Sequence, residues 1–377
     1  MPKYRFEEIA FNSTAKKKPV EEDKSHYIGL EHLDSGSFTV KRFGSEVAPI
    51  GEKLLMKKGD VLFGKRRAYQ KKVALAPFDG IFSAHGMVLR PKEDVVDKDF
   101  FPLFIGSDYF LDVAVEISVG SLSPTVNWRD LKDIEFELPE LSEQRKLAKV
   151  LWSIIDTLEA YNNLLSKIDD LVKSQFIEMF GDPAHNSKGL QYQLLGDVCL
   201  IERGGSPRPI SNYITTSSDG INWIKIGDAD DTRYINKTSE KIIPDGIKKS
   251  RYVQKGDLIL SNSMSFGHPY ILNIDGCIHD GWLVLHFDKK IFNSIYLQMY
   301  LSLPQIYDIF SAMAGGGVVS NLNSELVRRL PVIIPTIEQQ EIFESFILQI
   351  DKSKFELKKT IESLEALYKS IIAEYLG

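Results

Sequence analysis

The densest stretch of side chains able to engage a polyanion is Lys65-Arg66-Arg67-Ala68-Tyr69-Gln70-Lys71-Lys72. An arginine fork matches the O6/N7 edge of guanine, a glutamine amide matches the N6/N7 edge of adenine, and lysine holds phosphate as a point charge. Tyr69 adds an aromatic face. The run follows the strand-like KKGDVLF at 57–63, so a loop is expected, read either as a DNA-contacting loop or as a solvated charged turn. A polar segment, Ser261 to His268, holds the matching place after QKGDLIL at 254–260; Ser261, Asn262, Ser263 and His268 are its candidates for hydrogen bonds to bases or phosphates, with an ordinary polar loop as the alternative. In Gly204-Gly205-Ser206-Pro207-Arg208 the glycines allow close approach to a phosphate, with Ser206 and Arg208 beside it; a plain turn is the alternative. Asn127 in SLSPTVNW, and Asn321 and Asn323 in GGGVVSNLN, at matching positions before the helices, complete the candidates for contact with DNA. Lys16-Lys17-Lys18 offers non-specific attraction or simple exposure, and Trp223 reads as a core aromatic.

Residues for making or breaking bonds are missing. A methyltransferase acting on a flipped base needs an Asn/Asp-Pro-Pro-aromatic motif, and the chain has no Pro-Pro pair. Gly315-Gly316-Gly317 lacks both dinucleotide and phosphate-loop spacing. His279-Asp280 and His286 fit no metal-ligand pattern, and Glu356–Lys358, though Glu-x-Lys, falls on a helical repeat. Cys199 and Cys277 stand alone, which predicts neither disulfide nor zinc site and suits a reducing cytoplasm. Residues 1–11 carry charges throughout, unlike a signal peptide, and no apolar run is long enough for a membrane span. A formal net charge of −6 disfavours a free-standing basic binder, so any DNA contact must come from local basic loops or from partners.

These candidates sit in two copies of one pattern. DGIFSAHGMVL at 79–89 matches DGCIHDGWLVL at 275–285, LPELSEQRKLAKVL from Leu138 matches IPTIEQQEIFESFI from Ile334, and KSQFIEMFG ending at Gly181 matches KSIIAEYLG ending at Gly377, all 196 positions apart. KKGDVLF and QKGDLIL are 197 apart, so one residue was gained or lost between the blocks. Each KGD reads as a turn feeding a strand. Short β-type runs broken by Gly, Pro and Asp fill the rest of each copy, and a long helix closes it.

The helices show apolar steps of four and three, a coiled-coil seam. The first seam is Leu147, Leu151, Ile154, Leu158, Tyr161, Leu165, Ile168, Val172 and Met179, with polar Gln175. The second is Phe343, Ile347, Ile350, Leu357, Ile361, Leu364, Tyr368, Ile371 and Tyr375, with polar Lys354. Ser142 is the expected N-cap of the first helix, which through Phe180 would run about 58 Å at ~1.5 Å per residue. A seam this long needs a partner. The other helix of the same chain is the nearest, and a homodimer is the alternative.

In motif order and spacing the chain resembles the specificity (S) subunits of type I restriction–modification systems over nearly its whole length. LPELSEQRKLAKVL resembles the family's Leu-Pro…Glu-Gln-Arg entry to its conserved helix, and IPTIEQQEIFESFI is a weaker copy. IERGGSPRPISNY with INWIKIGD resembles the opening of a second target-recognition domain, and LMKKGDVLFGKRRAYQKKVALAPFDG resembles part of a first. The resemblance implies an α+β, pseudo-two-fold protein. Such a protein would have β-rich target-recognition domains at 1–137 and 182–333, and antiparallel coiled-coil spacer helices at 138–181 and 334–377. It also implies a non-catalytic subunit reading a split, asymmetric target in double-stranded DNA, with no small-molecule substrate. Two modification (M) subunits would carry S-adenosylmethionine, and restriction (R) subunits would carry ATP and magnesium. The rival readings are a coiled-coil adaptor that never touches DNA, a metal-dependent nuclease or fused modification enzyme, and, within the family, an orphan specificity subunit.

Overall fold

The computed structural model describes residues 1–263, 266–313 and 322–376. The chain forms two compact units: one of Met1–Asn162 with Lys358–Gly377, the other Asn163–Leu357. These boundaries cut through both long helices, whereas the sequence pattern sets each helix apart as a segment of its own. The helices run over Leu141–Phe180 and Ile337–Leu376, 40 residues each.

In the first unit the strands Ala10–Ser13, Met87–Pro91, Val61–Phe63 and Val73–Leu75 form one sheet in that order. Lys16–Lys17, Lys53–Met56, Gly80–Phe82 and Tyr27–Ile28 form another. Strand side chains alternate faces, and here both faces are used. Leu62, Ala74 and Val88 meet Leu54, Met56, Phe82 and Ile28 between the sheets. Val61, Phe63, Val73 and Leu89 point the other way, into a core shared with Leu147, Leu151 and Leu376 of the long helices. That second core also holds two helices, Phe101–Gly106 and Asp108–Glu116, within a stretch that reads from sequence as β-rich.

The second unit repeats this with five-stranded sheets. One runs Cys199–Arg203, Trp282–Phe287, Leu258–Ser261, Pro269–Leu272, Tyr234–Ile235. The other runs Ile214–Thr215, Glu240–Ile242, Ile221–Ile224, Gly276–Ile278, Arg251–Val253. Ile259, Trp282 and Val284 face Ile224, Val253 and Ile278, while Leu258, Leu260 and Leu285 face the helices. Trp223 is buried, as expected of a core aromatic.

The repeated motifs have repeated physical jobs. In each KGD turn the aspartate accepts the amide three residues earlier (Lys57 to Asp60, 2.7 Å; Gln254 to Asp257, 2.8 Å). The glycines take φ +88° and +92°. In each Asp-Gly pair the aspartate accepts the turn lysine's amide (Lys58 to Asp79, 2.8 Å; Lys255 to Asp275, 2.7 Å). The glycine lets a neighbouring carbonyl come in; a Cβ would lie 2.3 Å from His26 O at Gly80 and 2.7 Å from Asn222 O at Gly276. The Gln of the helix-entry motif is the deepest of these. Gln144 Oε1 accepts Asp97 N–H at 2.8 Å while its Nε2 donates to Val95 O and Pro139 O. Gln340 does the same with Asn293, Ile291 and Pro335.

Within each unit, portions of both long helices pack together. Leu147 and Leu151 share a core with Tyr368, Ile371 and Tyr375 in the first unit, as Val172 does with Phe343, Ile347 and Ile350 in the second. In these portions the seam residues are met inside the chain, start against end. Leu158, Leu165, Ile168, Leu357 and Leu364 are half-buried, and Ile154 and Ile361 are buried. The polar Lys354 donates to Asp169 at 2.6 Å.

Two expectations are corrected. The first helix begins at Leu141, and Glu140 O accepts the amides of Glu143 and Gln144, so Ser142 lies in the first turn and is not the cap. At the end of that helix the buried residues are Phe176 and Phe180, with Gln175 and Met179 only half-buried. A straight helix drifts about 20° per heptad from a 3.5-residue stripe, and the aromatics turn into the domain, 5.6 and 4.9 Å from Tyr296.

Candidate nucleic-acid interface

In the first unit the basic run leaves strand Val61–Phe63 and is bound on two sides. Arg66 N–H donates to His85 O, Arg67 N–H to Pro124 O, and Val126 N–H to Lys65 O, at 3.1, 2.7 and 3.0 Å. Three separate segments thus meet at one loop end. Arg67 and Lys71 take left-handed φ of 56° and 49° on either side of the turn Ala68–Gln70, which turns the side chains of the run in different directions. Arg66, Arg67 and Tyr69 are exposed, and Lys65 and Gln70 are half-exposed.

Lys71 and Lys72 instead face the protein. Lys71 pairs with Asp108 and Asp112, both at 2.6 Å, and these hydrogen bonds raise its pKa. Lys72 donates to Leu30 O at 2.7 Å. The two lysines anchor the loop that the other residues of the run present.

Positive charge converges here from beyond the run. Burial lowers the Lys65 pKa, and Lys16 lowers it further. His85 is pushed below its ordinary value of 6.5 by burial first, then by Arg66, Lys65 and Lys53. The neutral imidazole is therefore favoured in the folded state, so stability conferred by this group falls as pH drops through 6.5 towards the depressed folded value. We expect an NMR titration of His85 to give a midpoint below 6.5, moving upward in R66A; an unmoved midpoint in R66A would show that the arginine does not act on it.

The second unit closes a matching junction with equivalent bonds. Asn262 N–H donates to Gly281 O, and Leu322 N–H donates to Asn262 O, both at 2.9 Å. Gly64 N–H to Lys72 O corresponds to Ser261 N–H to His268 O, 197 positions on at the donor and 196 at the acceptor. The length difference between the copies therefore lies inside this loop.

The chemistry differs. Ser261 and Asn262, expected to contact DNA, are 2% and 4% exposed. Ser261 Oγ accepts His268 N–H and Asn262 Nδ2 donates to Asp280 O, so both side chains face the protein and hold the loop. Ser263 is half-buried and His268 is exposed. Ser206 Oγ donates to Asp280 at 2.7 Å, which lowers the Asp280 pKa, and Arg208 lies 3.5 Å from the same carboxylate.

Gly204 and Gly205 turn their amides to Trp282 O and Ile278 O, so the plain-turn reading describes them and neither amide is left for a phosphate. Asn127 and Asn323 stand at the N-caps of helices Trp128–Leu131 and Ser324–Arg328; both are exposed, and Asn323 accepts Leu326 N–H at 2.9 Å. Asn321 lies outside the described residues.

The model of the family described as the type I restriction modification DNA specificity domain matches residues 11–170 and again 188–366. The chain belongs to this family. Among curated members of the specificity family, the Escherichia coli EcoDI subunit is 25% identical over 47% of this chain and 40% of its own length. A putative MjaX subunit from Methanocaldococcus jannaschii is 20% identical over 83% and 76%. The matched stretch thus spans less than half of the EcoDI subunit. Among solved structures, the S subunit from M. genitalium matches 98% of the chain and 94% of its own at TM-score 0.59 and 14% identity. A chain from a study of complex assembly and conformational transition of the type I R-M system matches 100% and 97% at TM-score 0.58 and 18% identity. These two likenesses show the specificity-subunit fold. No helix among the described residues is long and apolar enough to cross a membrane.

For this member of the specificity family, sequence reasoning missed His85, Lys53 and the segment 124–126. His85 lies in the repeated block 79–89 and residues 124–126 in the segment that offered Asn127, but neither was joined to the basic run; the signal that could have joined them is the repeat, which sets position 85 opposite Gly281.

Proposed function

We propose that this chain is the DNA-reading subunit of a type I restriction–modification enzyme, with each β-rich body reading one half of a split, asymmetric target in double-stranded DNA. The observation that carries the reading is the shared loop junction. Equivalent backbone bonds fix the loops that leave strands Val61–Phe63 and Leu258–Ser261, while the side chains presented differ: Lys65, Arg66, Arg67, Tyr69 and Gln70 in one, Ser263 and His268 in the other. A common frame with divergent presented residues suits two readers of different sequence. Phosphate contacts from the lysines would set register, and the arginines and Gln70 would read base edges.

In this proposal the paired helices form the spacer between pseudo-symmetric readers. The chain docks two M subunits, which bind S-adenosylmethionine and methylate adenine, and through them R subunits, which use ATP and magnesium. This chain needs no cofactor and does no chemistry itself.

The test is to remove one heptad from each long helix and sequence the methylome of cells carrying the variant. Seven residues shorten a helix by about 10 Å, close to the rise of three base pairs. The gap between half-sites should shrink by about that amount with both half-sites unchanged. An altered half-site, or an unchanged gap, would remove the helices from the role of spacer.

A further inference from the structure

A split target is read only if each reader is held rigidly on its helix, and beyond the shared core and the helix-entry glutamine each unit has a further side chain, at equivalent places, that reaches across. In the first unit Phe38 O accepts Leu75 N–H at 2.9 Å; in the second Arg233 O accepts Ile271 N–H at 2.9 Å, 196 positions on at the donor. Phe38 and Arg233 are therefore structural equivalents, each on a segment crossing the edge of its reader's sheet.

Both reach a long helix, by different chemistry. The Phe38 ring packs 5.3 Å from the ring of Trp152, and Gly106 leaves the room, since a Cβ there would lie 2.5 Å from Phe38. Arg233 forms a fork on Asp351, at 2.8 and 3.1 Å, and gives a third hydrogen bond to Gln298 Oε1 at 2.8 Å. Gln298 is 5% exposed and itself donates to Ser302, so the guanidinium is braced from the short helix Ser294–Leu301 as well as from the long one. The bidentate geometry fixes orientation as well as distance, which a lysine could not do.

We propose that Arg233 and Phe38 are positioning residues that lock each reader onto its helix and thereby set how strictly the enzyme enforces the gap between half-sites. This rests on the two-reader function proposed above. Neither residue belongs to the loop junction, so losing one should relax spacing and leave the bases read unchanged.

The experiment uses the full chain assembled with its modification subunits, and duplexes carrying the methylated half-sites at the native gap and at one base pair more or fewer. The wild-type assembly should bind only the native gap. R233A and F38A should bind the shifted duplexes within about tenfold of the native one. R233K should fall between, and the swap R233D with D351R should restore strictness. If R233A folds poorly, F38A and R233K carry the test. A lowered thermal midpoint with gap selectivity intact would overturn the proposal and leave these residues a purely structural part. A wild-type assembly indifferent to the gap would instead overturn the two-reader function before any variant is compared.

Discussion

Replacing Gln144 or Gln340 by leucine is expected to destabilise the affected unit by about 3 kcal/mol, because each change strands three backbone groups. Gln144 and Gln340 are 1% and 0% exposed, and each satisfies one amide and two carbonyls. Leucine fills similar volume, so the loss isolates the hydrogen bonds from the packing. Glutamate would keep an acceptor for the Asp97 or Asn293 amide, lose the donor to both carbonyls and bury a charge, and should be no better than leucine. Hydrogen exchange at the Asp97 and Asn293 amides measures each site separately; protection as strong as in the wild type would show that something else bonds these groups. The glutamine amide thus ties the start of each long helix to the segment that leads into its reader's short helices. Its neighbour is under no such demand. The residue 196 positions after Arg145 is Glu341, an acid where the first copy has a base. Arg145 pairs with Asp97 at 3.3 Å and is exposed, so this position tolerates the change that the buried amide would not.

The second large effect is on DNA binding. Replacing Lys65, Arg66 and Arg67 together by alanine should weaken binding of the assembled complex by about a hundredfold or more, at roughly 1–3 kcal/mol for each arginine that reads a base. The slope of log affinity against log salt should flatten by about one for each phosphate no longer engaged. Lys71→Ala is the internal control. Its ammonium is held by Asp108 and Asp112, so its loss should loosen the loop without removing a charge offered to DNA. Equal affinity and equal salt slope in the triple variant and the wild type would leave the coiled-coil adaptor as the better reading of the chain.

The long helices were legible because their seams repeat over many turns, and a periodic signal accumulates with length. The KGD turns were legible because Lys58-Gly59-Asp60 needs a left-handed glycine and an aspartate acceptor, and those needs restrict residue type; the Asp79-Gly80 pair was visible only as part of the repeat. The helix Ser294–Leu301 was not, because every residue after Ser294 is buried and no polar face remains to mark a 3.6-residue period. The candidate site divides in the same way. Charge density marked Lys65 to Lys72, but composition does not tell an anchoring lysine from a presented one; that depends on Asp108, Asp112 and Leu30 being folded against the loop. Ser261 and Asn262 read as contacts for a related reason, since a polar residue at a strand end serves equally well at the surface or as a buried brace.

The first compact unit needs residues from both ends of the described chain, Met1–Asn162 and Lys358–Gly377. During synthesis, then, the body begun earliest is completed late: Leu147 and Leu151 emerge from the ribosome well before Tyr368, Ile371 and Leu376, which share their core. Until then the side of that core which Tyr368, Ile371 and Leu376 cover is open to other apolar surfaces, and closing it requires pairings of very long sequence separation, which are slow to form. Shortening the chain by its final two or three helical turns should therefore injure the earlier-made reader and spare the later one, a difference that limited proteolysis of the two bodies would reveal.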